Sequence, residues 1–188
     1  MSSFREIAHG LSFPEGPVSL PDGSLLVVEI AAGRLTKIDL GGKKTVVTHL
    51  KGGPNGIGIS PDEKQLYVAE TPTGRIWAFN IEAPGKISRT AGPVPWEKGQ
   101  LIASPSGYHL FDSLALDSAG NICVGSIPGA IDVFSQEGDH ISSIPLPDTF
   151  PTNICFGGTD LKTAYVTLSS SGILIALDWP RPGLRLHF

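Results

Sequence analysis

Short apolar stretches alternate with polar turns along the whole chain. LLVVEI, RLTKIDL, TVVTHL, QLYVAE and RIWAFNI each place β-branched or aromatic residues within six or seven positions, a composition that fits a pleated, half-buried strand. Gly and Pro punctuate these stretches, as in Pro21-Asp22-Gly23, and nothing carries a helical period, so the chain is predicted to be all-β. Each unit reads as an inner stretch, a turn, a strongly apolar second strand, a Gly-bearing turn and a third strand. In the first unit a fourth strand follows, Lys44 to Leu50.

These units repeat. SLPDGSLLVVEIAAGRLTKIDL from Ser19, SPDEKQLYVAETPTGRIWAFNI from Ser60, LDSAGNICVGSIPGAIDVFS from Leu116 and FGGTDLKTAYVTLSSSGILIALDW from Phe156 stack with Asp22, Asp62, Ala119 and Asp160 in one register. Seven residues ahead of that register stand Glu15, Asn55, Asp112 and Asn153, at intervals of 40, 57 and 41. Strand-and-turn units recurring at about 40 residues are the signature of propeller blades. The expectation is a single domain, residues 1–188, folded as a four-bladed β-propeller. The long interval contains a Pro- and Gly-rich insertion, Pro84 to Gly107, expected as a loop on one face and carrying Trp96. Phe4 to His9 is expected to pair into the last blade so that no sheet edge stays open. Leu184 to Phe188 offers no more than a short strand.

A position used once per blade lies at one height around the propeller axis. Glu15, Asn55, Asp112 and Asn153 therefore converge as four oxygen-bearing side chains, the kind of set a hard divalent cation takes. No clustered His/Cys set supports a structural zinc, and no GxSxG elbow is present. A cation here could polarise an ester carbonyl and lower the pKa of a bound water, and Asp112 is the candidate general base beside it. Taken singly, Asn55 also reads as a turn residue and Glu15 as a solvated loop carboxylate; the shared offset is what favours ligation. Asp22, Asp62 and Asp160 read as hairpin stabilisers. Asn153, His109 and Trp96 are candidate substrate contacts, His109 standing three residues before Asp112 and Trp96 on the insertion that could cover the site.

Composition narrows the field. A chain of 188 residues, 40% hydrophobic and 17% charged, can bury roughly 70% of its unfolded surface without a disulfide. Cys123 and Cys155 lie in the apolar contexts NICVG and NICFG, expected as buried reduced thiols. The net charge of −4 comes with scattered basic residues, which excludes an electrostatic footprint for nucleic acid or an anionic membrane. MSSFREIAHG has no apolar leader and no run spans a bilayer, so a cytoplasmic location is expected.

Several segments resemble one family. FPEGP (Phe13 to Pro17), GGPNGIGISPDEKQLYVAET (Gly52 to Thr71), FDSLALDSAGNICVGS (Phe111 to Ser126) and TNICFGGTDLKTAYVT (Thr152 to Thr167) are similar in order to the gluconolactonase/regucalcin (senescence marker protein) family. The resemblance implies a propeller with a divalent cation in its channel, calcium first, with zinc, manganese or magnesium as alternatives. It places the ligands on Glu15, Asn55 and Asp112, and it implies hydrolysis of a small sugar-type lactone or related ester. Members of that family have six blades, whereas this chain passes from its first repeat through Gly53-Pro54-Asn55-Gly56 into a stretch resembling the family's fourth. About two blades are absent, and with them the Asn-Asp turn that positions substrate. The alternative is therefore a non-catalytic, metal-stabilised propeller that binds a small molecule or protein. The shortened ring is expected either as a monomer or as a homo-oligomer completing itself with a second chain.

Overall fold

The computed structural model describes residues 6–50, 52–88, 94 and 99–186. Four antiparallel sheets follow one another as the blades of a β-propeller. The first contains β1 (Pro14–Ser19), β2 (Leu25–Glu29), β3 (Arg34–Ile38) and β4 (Lys44–His49). The second contains β5 (Pro54–Ile59), β6 (Gln65–Glu70), β7 (Arg75–Ala83), β8 (Lys86–Ile87) and β9 (Gln100–Ala103), with β8 and β9 both pairing with β7. The third contains β10 (Leu110–Leu116), β11 (Ile122–Ile127), β12 (Ala130–Phe134) and β13 (His140–Pro145). The fourth has three strands, β14 (Pro151–Gly157), β15 (Thr163–Leu168) and β16 (Ile173–Asp178). The helical structure among the described residues is one 3-10 turn, Ile30–Ala32.

The repeated aspartates close the turns between first and second strands. Asp22, Asp62 and Asp160 each accept through Oδ1 from the backbone N–H two residues on, at 3.0, 3.1 and 3.1 Å. These are side-chain turns of the kind that fix a short hairpin. Ala119 holds that register in the third blade and cannot do this. Asp117 does so from two residues earlier, accepting from the N–H groups of Ala119 and Asn121 at 3.0 Å each.

Blades pack face to face through three apolar cores. Leu26, Val28 and Leu35 of the first blade meet Ile57, Leu66 and Val68 of the second. Ile76 and Ala78 of the second meet Phe111, Leu114 and Phe134 of the third, and Ile131 and Val133 of the third meet Ile154, Ala164 and Val166 of the fourth. Full burial of a side chain such as Leu35 contributes about 1.5–3 kcal/mol. The inner strands pack in the order β1, β5, β10, β14, and no comparable packing returns from β14 to β1 among the described residues.

Three expectations need correction. The insertion is not only a loop, because Lys86–Ile87 and Gln100–Ala103 lengthen the outer edge of the second blade; Trp96 lies outside the described residues. Phe4 and Arg5 also lie outside them, but Glu6 to His9 form no strand and run against the first blade. Lys44 Nζ donates to the carbonyls of His9 and Gly10 at 2.7 and 3.1 Å, which ties the segment to the first blade. Cys123 is buried, as expected, but Cys155 is exposed, because it sits on the face of β14 turned away from the third blade. The end of the chain agrees with the sequence: among the described residues Leu184 to Leu186 form no strand, and an isolated bridge joins Gly183 to Asp117.

Candidate metal centre and channel

All four inner strands break register at the same height. The irregularity falls between Glu15 and Val18 in β1, Pro54 and Ile57 in β5, Phe111 and Leu114 in β10, and Pro151 and Asn153 in β14. A bulge of this kind bends a strand and re-aims a side chain, and in β1, β5 and β10 the interval contains or adjoins Glu15, Asn55 and Asp112. Glycine after the site residue lets the next strand come close. A Cβ on Gly56 would lie 2.6 Å from the Asp112 carbonyl oxygen and 2.7 Å from the Leu114 nitrogen. One on Gly16, at φ +53°, would lie 2.7 Å from Ile57 Cγ2 and 3.3 Å from the Asn55 carbonyl oxygen. Pro-Glu-Gly and Pro-Asn-Gly thus combine an oxygen ligand with a backbone thin enough to lie against its neighbour.

These strands bring three of the expected site residues into mutual influence. The Asn55 side-chain amide is near enough to Asp112 to lower its pKa, and Glu15 is near enough for its charge to raise it. Burial pushes the Asp112 carboxyl up to about 6; the Asn55 amide opposes the rise and the Glu15 charge adds to it. Asp112 and Asn55 are half-buried, whereas Glu15 is exposed. Among the described residues no three His, Cys, Asp or Glu side chains are disposed to hold a metal, so the set is two carboxylates and an amide. That set fits a hard cation: the donors are all oxygens, and the positive charge would relieve the repulsion between Glu15 and Asp112.

The other site candidates lie in different surroundings. Asn153 is exposed on β14 and lines a cavity together with Gly16 and Ser113, the residues directly after Glu15 and Asp112. The His109 ring is held at the edge of the third blade, Nδ1 lying 3.2 Å from Ser126 Oγ and Nε2 3.2 Å from the Ser106 carbonyl oxygen. Its Nδ1 is 3.6 Å from a carboxylate oxygen of buried Asp132, which His140 approaches on the other oxygen at 3.4 Å.

The cavity was not legible as a site. It measures about 750 Å³ and is bounded by all four inner strands and by Leu184–Leu186. Val18, Ile57, Leu114, Ile154 and Phe156 border it, together with the polar Ser19, Ser60, Ser113 and Thr159. The signal for it was the position of the five apolar residues, one to three residues after Glu15, Asn55, Asp112 and Asn153 on the inner strands.

Comparison with known proteins agrees with the fold. Residues 31–170 match the SMP-30/gluconolactonase/LRE-like region, and the chain belongs to that family. It is 30% identical to the pentonolactonase XacC of Haloferax volcanii over 141 residues, 74% of this chain and 46% of that protein. To a 6-deoxy-6-sulfogluconolactonase of Pseudomonas putida it is 30% identical over 156 residues, 80% of this chain and 50% of that protein. Among solved structures, a calcium-binding regucalcin from Agrobacterium tumefaciens superposes with a TM-score of 0.72 at 20% identity, covering 92% of this chain and 65% of that one. The chain spans about half the length of these two lactonases.

Proposed function

We propose that the protein is a metal-dependent hydrolase of sugar-type lactones or related esters. The observation that carries this reading is the convergence of Asp112, Asn55 and Glu15 at one height of the inner strands. Kinship with lactonases, stated by the relatives' names, supports it. Glu15, Asn55 and Asp112 would hold the cation, and the all-oxygen set favours calcium, with zinc, manganese or magnesium as the alternatives to be tested. When bound, the cation supplies positive charge that polarises an ester carbonyl and acidifies a water.

The chain's own groups do the rest. Asp112 accepts the proton of the attacking water, and its half-buried position keeps its affinity for that proton above that of an exposed carboxylate. The Asn55 amide beside Asp112 favours its ionised form. The adjoining cavity receives the remainder of the substrate beside Asn153.

The chain's length relative to those lactonases favours a second reading, a non-catalytic propeller in which the cation is structural and the cavity binds a small molecule. Hydrolysis of a lactone panel followed by pH-stat, with calcium, zinc, manganese and magnesium in turn, separates the two. Turnover above the metal-only blank on any lactone supports the hydrolase. Rates equal to the blank on every lactone, with metal still bound, leave the binding propeller.

A further inference from the structure

The fourth blade stops at three strands where the others have four or five. β16 pairs with β15 on its inner side, and among the described residues no strand pairs with it on the outer side. Trp179 N–H donates to the Lys162 carbonyl at 2.7 Å, continuing the register that sets Thr163 opposite Asp178. Because bonded and non-bonded pairs alternate along an antiparallel ladder, the N–H and C=O groups of Leu174, Ala176 and Asp178 point outward. Those groups form a free edge.

Nothing in the strand blunts that edge. The outer strands β4, β9 and β13 each pair across a register shift, and β4 and β13 carry Lys44 and Pro145. Bulges, charges and prolines of this kind keep an edge from pairing with another chain. β16 instead pairs with β15 through six residues without a shift, is apolar from Ile173 to Leu177, and has its one charge at the last position. Ile173 and Leu174 are 47% and 64% exposed, on opposite faces of the sheet.

We infer that this edge is covered by β16 of a second copy of the chain, antiparallel about a twofold axis, so that two three-stranded blades become one six-stranded sheet. Pairing about Ile175 sets Leu174 opposite Ala176 of the second copy, and Ile173 opposite its Leu177. The outward N–H and C=O groups of Leu174 and Ala176 then bond across the axis, and each of these side chains meets an apolar one. The two Asp178 carboxylates stay at opposite ends of the ladder. Such an interface uses the same patch on both copies, so the assembly closes at two.

The described ends of the chain are engaged elsewhere. Lys44 holds His9 and Gly10, and Leu184 N–H donates to the Leu116 carbonyl at 2.9 Å. Surface area favours a partner as well. The chain exposes 9894 Å², whereas a compact monomer of 19.8 kDa exposes about 8,600 Å². The surplus, about 1,300 Å², exceeds the roughly 800 Å² that each partner buries in a standard interface.

Sedimentation equilibrium at micromolar concentration should give twice the 19.8 kDa of one chain. Leu174→Lys places a charge on the edge, and Ala176→Pro removes an N–H that points away from β15. Each should return the mass to that of one chain, with an unchanged circular dichroism spectrum. Leu174 is exposed, so its variant carries the test should Ala176→Pro not fold. In a Cys155→Ser background, Ile175→Cys should form an intermolecular disulfide on mild oxidation, because facing Cα atoms of a non-bonded pair lie about 4.5 Å apart. A monomer, or a dimer that both variants leave intact, would overturn the inference. A dimer lost in both variants yet never cross-linked supports the shared edge and overturns the register about Ile175.

Discussion

The Asn55 amide on β5 is near enough to Asp112 on β10 to lower its pKa across the seam between the second and third blades. They stand 57 residues apart in the chain. A turn-like Pro-Asn-Gly is thereby brought to a half-buried carboxylate.

If Asp112 accepts the proton, Asp112→Asn should retain much of the metal affinity, because an amide oxygen still ligates, yet lose about 10²–10⁴-fold in turnover. Glu15→Gln should instead weaken metal binding and activity together. Activity and metal occupancy measured on the same preparations check this; equal losses of both in Asp112→Asn would contradict the assignment of the base.

Gly56 has no room for a side chain. Its Cβ would meet backbone atoms of Asp112, Ser113 and Leu114 at 2.6–2.9 Å, so Gly56→Ala must push β5 and β10 apart. The expected cost is about 1–3 kcal/mol, read as a lower midpoint in urea, with metal binding weakened because Asn55 and Asp112 separate. A Gly56→Ala variant with unchanged midpoint and unchanged metal affinity would show that the seam is looser than described.

Acid should unfold the first blade through Glu29. Its fully buried carboxylate accepts from Arg34 at 2.8 and 2.9 Å, from Thr36 at 2.6 Å and from Ser12 N–H at 2.8 Å. Arg34 above all, with Thr36 and Ser12, holds its pKa down at about 2 against an ordinary 4.5. A carboxylate depressed on folding binds fewer protons in the folded state, so its stabilisation is present above pH 4.5 and is lost as pH falls toward 2. Thermal melts between pH 6 and 2.5 should show this loss, and Glu29→Gln should be less stable by about 3 kcal/mol at neutral pH with a shallower acid limb.

The blades were legible because turn chemistry and strand composition repeat. Asp22, Asp62 and Asp160 announce the hairpins through a local hydrogen bond that depends on two or three neighbouring residues. The site residues were visible through their constant distance from those turns. The features that could not be read depend on pairing between distant segments. Nothing local marks Gln100–Ala103 as the strand that extends the second blade, or sends the N-terminal segment to Lys44 and away from β16. His109 stands three residues before Asp112, yet its ring is taken up by Ser126 and the Ser106 carbonyl, contacts that no local pattern announces. Cys155 and Cys123 share a motif but not an environment: both faces of β11 are covered, and one face of β14 is open.

The most direct test of the central claim is calorimetric titration of calcium into chelator-treated protein, alongside Glu15→Gln and the Glu15→Gln/Asp112→Asn double variant. The account predicts one calcium per chain, weaker binding in the single variant and none in the double variant, with a melting temperature that rises on calcium addition only where calcium binds. No heat of binding in the unsubstituted protein, or the same heat in the double variant, would contradict it.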